Sequence, residues 1–116
     1  MPVDGVQRYK ISYTQAAAED IEEKADYIAV QFHDPALSEV WYERLKVQIQ
    51  ENLSTFPLKY PLYDVSPWRE QGVRLFTTRN DVVLYSADMD DYTVYIRAVC
   101  TKGRDLPAHL EAQESE

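Results

Sequence analysis

The chain has 116 residues, a formal net charge of −8 and only 3 glycines, with 45% hydrophobic and 12% aromatic side chains. Those values fit one ordinary globular domain, 1–116, and exclude a two-domain, disordered or fibrous chain. The lone cysteine, Cys100, excludes a disulfide framework and a multi-cysteine structural zinc site, and suits a reducing compartment.

Arg8 to Thr14 alternates large and polar residues and is rich in strand formers, which predicts a first strand ending near Thr14. From Ala17 the period changes. Ala18, Ile21, Ala25, Ile28 and Phe32 recur at spacings of three and four, predicting an amphipathic helix. Glu19, Asp20, Glu22 and Glu23 read as its solvated acidic face. Asp34-Pro35 suits the N-cap and first turn of a second helix. Leu37, Trp41, Leu45, Ile49 and Leu53 then repeat every four residues until Pro57 forbids continuation. The short connection makes the pair an antiparallel helical hairpin.

Residues 57–71 show no period and carry three prolines with Tyr60, Tyr63 and Trp68, so they read as a loop packed by its aromatics. Val73–Arg79, Val82–Asp88 and Tyr92–Cys100 read as three strands joined by turns short enough for hairpins, giving an antiparallel meander. Pairing Phe76 with Tyr85 and Tyr85 with Tyr95 places Val73, Leu75, Val82, Leu84, Val94, Ile96 and Ala98 on one face. That aliphatic face is the expected floor for the helical hairpin. The other, expected to be open, would hold Arg74, Phe76, Val83, Tyr85, Tyr95, Arg97 and Val99.

Charge is uneven along the chain. Residues 1–58 carry −5, residues 59–104 carry +1, and the tail from 105 carries −4. The acidic total argues against a general phosphate-binding surface, while leaving room for a local basic patch between residues 69 and 104. His33 and His109 have no Glu or Cys at ligand spacing, so no metal site is expected. Glycine is too scarce for a phosphate loop, and no nucleotide or other cofactor is expected. Cys100 reads as a buried core cysteine rather than a nucleophile. The amino terminus lacks signal-peptide character and no apolar run is long enough for a membrane helix, so a cytoplasmic protein without membrane contact is expected. Arginines and tyrosines of the meander remain, suited either to phosphate and base contacts or to anchoring a protein partner.

Strand, helical hairpin, proline-bearing loop, three-stranded meander and Arg-Asp tail together resemble the RelE/ParE superfamily of toxins from bacterial type II toxin–antitoxin systems. The resemblance covers roughly residues 8 to 110. It is carried by Tyr13-Thr14, Ala17-Ala18, Asp20-Ile21, Tyr27-Ile28, Leu53, Phe56-Pro57, Gly72-Val73-Arg74, Tyr85, Val94-Tyr95-Ile96 and Arg104-Asp105-Leu106. It implies an α+β fold of order β-α-α-β-β-β, with the hairpin on one face of a mostly antiparallel four-stranded sheet. The core spans about 8–106 and is followed by an acidic tail, 107–116.

Within that superfamily, nuclease members resembling RelE typically carry an arginine in the middle strand and lysines in the strand before it. Here Val82-Val83-Leu84-Tyr85 holds no arginine and Val73–Thr78 holds no lysine. Cleavage of RNA by its own 2′-hydroxyl needs a base and cationic stabilisation, so those absences are costly. The Gly-x-Arg at residues 72–74 and the late Arg-Asp are closer to the ParE, or plasmid stabilisation, branch, although the histidine usual before that Arg-Asp is missing near Thr101. The resemblance therefore implies a non-catalytic toxin that inhibits DNA gyrase by binding and is neutralised by a cognate antitoxin. Arg74, Phe76, Tyr85, Tyr95, Arg97 and Arg104 are its expected partner-binding residues. Two alternatives stay open: a ribosome-dependent mRNA endoribonuclease using Arg74, Tyr85, Arg97 and Arg104, and a non-toxic protein-binding module.

Overall fold

A computed structural model describes residues 7–114. The first strand is β1 (Lys10–Tyr13), followed by helices α1 (Gln15–Gln31) and α2 (Pro35–Leu53), a 3₁₀ turn at Pro57–Lys59, strands β2 (Arg74–Thr77), β3 (Asp81–Asp88) and β4 (Thr93–Thr101), and helix α3 (Leu106–Glu114). The expected α+β order is present, with a helix where the sequence reads as an acidic tail.

Local signals set the element boundaries. Thr14 caps α1 by accepting the Ala17 N–H at 3.1 Å, which satisfies one of the donors that a helix start leaves unpaired. Between the helices His33 takes a left-handed φ of 51°, and Asp34 then caps α2 by accepting the Ala36 N–H at 3.0 Å, with Pro35 in the first turn. The buried Ser38 hydroxyl donates to the Ala25 carbonyl at 2.7 Å, tying the two helices together near their connection.

The sheet order is β1-β4-β3-β2. β2, β3 and β4 form the expected antiparallel meander, while β1 lies at the edge and runs parallel to β4, with Ile11 opposite Val94 and Tyr13 opposite Ile96. Such a parallel pair needs a crossover, and the helical hairpin supplies it.

Register and facing differ from the sequence reading. Tyr85 opposes Arg74 rather than Phe76, a shift of two residues that leaves the side-chain faces of β2 and β3 unchanged. The β3–β4 ladder carries a bulge, because Leu84 opposes Ala98 while Tyr85 opposes Ile96. Arg97 is the extra residue there, and its insertion reverses the facing of everything before it in β4. Val94 and Ile96 thereby join Val83, Tyr85, Phe76 and Val99 in one core, whereas Tyr95 and Arg97 turn to the opposite side.

The helical hairpin covers this mixed aromatic face, through Ala17, Ile21, Leu45, Ile49 and Leu53, and not the aliphatic one expected. Burying Ile49 and Leu53 completely contributes about 1.5–3 kcal/mol each. The aliphatic face, with Val73, Val82, Leu84 and Ala98, is covered in turn by Tyr63 and Trp68 of the long loop and by Leu110 of α3. The second side is thus covered over Val73, Val82, Leu84 and Ala98, while Tyr95 and Arg97 on it stay partly exposed. An exposed row of Val and Leu would have cost free energy, and the loop aromatics and α3 remove it from water.

Candidate functional site

The six arginines and aromatics singled out from the sequence do not share one surface. Phe76 and Tyr85 are buried under the helices. Phe76 packs edge-on against Tyr60, ring centroids 5.0 Å apart, and the Tyr85 hydroxyl donates to the Pro57 carbonyl. Burial pushes the Tyr85 phenol well above its ordinary value, against the pull of the Arg74 cation. Arg74 donates to the Tyr60 carbonyl at 2.6 Å and to that of Leu58 at 3.4 Å. Arg74 and Tyr85 thus hold the 57–60 turn against the sheet through three charge-assisted or buried hydrogen bonds to its backbone carbonyls.

Tyr95 and Arg97 lie on the other side. The Tyr95 hydroxyl donates to Asp91 at 3.1 Å, and that acceptor raises its pKa; Arg97 reaches Gln71 at 3.4 Å. Arg104 is exposed in the turn between β4 and α3, where Gly103 takes a φ of 90° that an L side chain adopts at a cost.

Arg104 belongs instead to the rim of a groove of about 600 Å³ between α1, the end of β4, the β2–β3 turn and α3. Two part-buried networks contribute side chains to its wall. In the first, Asp81 pairs with Lys24, accepts the Trp41 indole N–H at 2.9 Å, and has its own backbone N–H bonded to the Thr78 hydroxyl at 3.0 Å. In the second, Asp20 accepts the Val99 backbone N–H at 2.9 Å and the Gln113 amide at 3.0 Å, and lies 3.0 Å from His109 Nε2.

Asp20 is not part of the solvated acidic face expected of α1: its side chain is 9% exposed and ties α1 to β4 and α3. His109, which looks isolated in the sequence, is its partner from 89 residues away. Cys100 completes the group, with one ligand-type atom from each of the three residues lying within 4.8 Å of the others. No local spacing announces such a cluster, because α1, β4 and α3 each contribute a single member.

Cys100 is buried, as expected from the sequence, and burial with the nearby Asp20 carboxylate pushes its thiol up to about 12. The folded state therefore holds the thiol proton more tightly than the unfolded chain. That contribution to stability is complete below about pH 9 and is lost as pH rises from there through about 12. The loss approaches about 1.4 kcal/mol per pH unit above pH 9, and Cys100→Ser removes it. Urea unfolding at pH 7, 9 and 10 checks this: the wild type should lose stability more steeply than the variant, and parallel curves would contradict it.

The fold has close counterparts among solved structures. A chain of the chromosomal ParDE toxin–antitoxin system from P. aeruginosa superposes with a TM-score of 0.66 at 14% identity, over 82% of this chain and 97% of that one. A chain of the RelBE2 toxin–antitoxin complex from Mycobacterium tuberculosis superposes with a TM-score of 0.56 at 18% identity, over 82% and 99%. No protein-family model matches the sequence, and no curated protein is similar to it at a significant level. The chain therefore has a RelE/ParE-type fold, as the order of its sequence elements implied. Among the described residues no helix is long and apolar enough to cross a membrane.

Proposed function

We propose that this chain is the toxin of a type II toxin–antitoxin pair, of the ParE-like, plasmid-stabilising kind. It acts in the cytoplasm by binding DNA gyrase, and a cognate antitoxin neutralises it. Its fold likeness to ParDE and RelBE2 chains supports the toxin–antitoxin reading. The observation that favours binding over RNA cleavage is the dispersal of the arginine and tyrosine set. Tyr85 is buried with its hydroxyl already donated, Arg74 is held on two carbonyls, Arg97 faces the opposite side of the sheet, and Arg104 stands in a separate turn. In-line transfer within RNA needs base and cation within a few ångströms of one phosphate, and these four residues do not supply that arrangement.

Among the described residues, several large exposed apolar side chains lie on the helical hairpin. Tyr27, Val30 and Phe32 are 62%, 72% and 59% exposed, and Leu37 and Val40 of α2 are exposed beside them. Exposed apolar side chains gathered on one helical hairpin support a protein contact there. The antitoxin docks here through a segment that folds on binding and brings apolar anchors at helical spacing. Among the six expected contact residues, Tyr95, Arg97 and Arg104 remain available to the target.

Phe32→Glu is expected to weaken antitoxin binding at least 10-fold, since a truncated anchor costs upwards of about 1.4 kcal/mol, and to leave the melting temperature within about 2 °C. Titration calorimetry with the purified antitoxin reads the first and thermal unfolding the second; unchanged affinity would move the interface elsewhere. For the target, addition of the purified chain should depress DNA supercoiling by gyrase in proportion to its concentration. Full supercoiling at large molar excess, with messenger RNA cut in expressing cells, would replace gyrase by the ribosome.

A further inference from the structure

Asp20, Cys100 and His109 offer one oxygen, one sulfur and one nitrogen to a common point on the inner wall of the groove. We propose that they form a site for one zinc-class divalent ion, with three protein ligands and a fourth position open to the groove.

The donor set selects the ion. Magnesium and calcium require oxygen ligands, whereas a thiolate with an imidazole and a carboxylate suits zinc and its borderline neighbours. Around one tetrahedral zinc, with bonds of about 2.0–2.3 Å, ligand atoms lie about 3.3–3.8 Å apart. The three atoms here lie within 4.8 Å of one another, so closure needs a shift of about 1 Å. His109 is the ligand able to make it, being 34% exposed on the first turns of α3.

The surrounding bonds already orient the carboxylate. Its Oδ2 accepts from the Val99 N–H and the Gln113 amide, and His109 Nε2 lies 3.0 Å from both carboxylate oxygens. An ion placed between the carboxylate and the imidazole replaces the His109 contacts and keeps the Val99 and Gln113 bonds that fix the aspartate, the arrangement by which outer bonds hold a ligand in place. On binding, the Cys100 thiol gives its proton to solvent as the sulfur–metal bond forms, with no change of oxidation state.

The charges facing the thiol are Asp20 and Lys24 from α1, Asp81 from β3 and Arg104 from the turn before α3. Lys24 is already paired with Asp81. Arg79, Lys102 and Arg104 on the rim disfavour loosely held hard cations, which leaves an ion that bonds to nitrogen and sulfur.

The test uses the full, untagged chain with cobalt(II) and zinc(II) as probes. Cobalt should bind one per chain and give a thiolate-to-metal charge-transfer band that stoichiometric zinc abolishes, and excess zinc should raise the melting temperature. Cys100→Ser should lose the band, and both it and His109→Gln should bind zinc at least 10-fold more weakly, since even outer-sphere changes cost 10–100-fold. His33→Gln should bind as the wild type does. The wild-type spectrum is decisive without any variant: absence of the charge-transfer band at saturating cobalt overturns the site. Equal zinc affinity in the wild type, Cys100→Ser and His109→Gln overturns it too.

Discussion

Asp81→Ala is expected to destabilise the protein by about 3–5 kcal/mol, read as a lowered urea midpoint at unchanged slope. The Asp81 side chain is 4% exposed and brings three elements to one point: Lys24 of α1 by an ion pair, Trp41 of α2 by an indole hydrogen bond, and β3 on which it stands. Alanine leaves the Lys24 ammonium, itself only 17% exposed, without its counter-charge and the indole N–H without an acceptor. Each orphaned group carries a desolvation cost that the intact network does not. Asp81→Asn should cost less, because its amide oxygen still accepts from Trp41. The double change Lys24→Met with Asp81→Leu should cost less than Asp81→Ala, since it leaves no buried charge unmatched. A loss below about 1 kcal/mol for Asp81→Ala would show that this ion pair does not join the helices to the sheet.

Trp68→Ala should cost about 3–5 kcal/mol, as expected when a large buried aromatic is removed and the site cannot collapse. Trp68 is 3% exposed, stacks obliquely on Tyr63 at 6.0 Å and donates to Glu114 of α3 at 3.2 Å. It lies between the long loop, the aliphatic face of the sheet and the last helix, so its loss should also loosen α3. Limited proteolysis should then cut between residues 103 and 114 in the variant well before it cuts the wild type. A variant of near wild-type stability, with α3 still protected, would mean that the second layer owes little to the loop.

The sequence showed the elements more clearly than the way they face. α1, α2 and the three meander strands follow from apolar spacing and from Asp34-Pro35, signals that depend on neighbours within a few residues. Facing depended on one bulge. Arg97 is an ordinary strand residue in the sequence, and only packing shows why it is extruded: with it inserted, Val94 and Ile96 reach the helices while a guanidinium stays out of the core. The pairing expected from the sequence places Arg97 and Tyr95 away from the helices, as they are here, but puts Tyr85 and Phe76 in their company. Helix α3 was illegible because its two large apolar residues, Leu106 and Leu110, give too short a pattern; its partner, the aliphatic face, lies elsewhere in the chain.

The candidate site was the least legible part. Arg74 and Tyr85 are both among the residues singled out, and they are neighbours across β2 and β3, but their bonds run to the 57–60 turn. The Asp20, Cys100 and His109 cluster joins residues 80 and 89 positions apart, and its members read separately as a solvated acid, a core thiol and an isolated histidine. The −8 charge was informative in a different way: it is concentrated on α1 and beyond Asp105, while Arg79, Lys102 and Arg104 form a local basic rim at one end of the sheet.

The most direct measurement is growth of a bacterial host expressing this chain from an inducible promoter, with and without the neighbouring open reading frame. Arrest on induction, relieved when the neighbour is co-expressed, is the expected result for a toxin held by its antitoxin. Normal growth at high level of the folded, soluble chain, whether or not the neighbour is present, would contradict the toxin assignment.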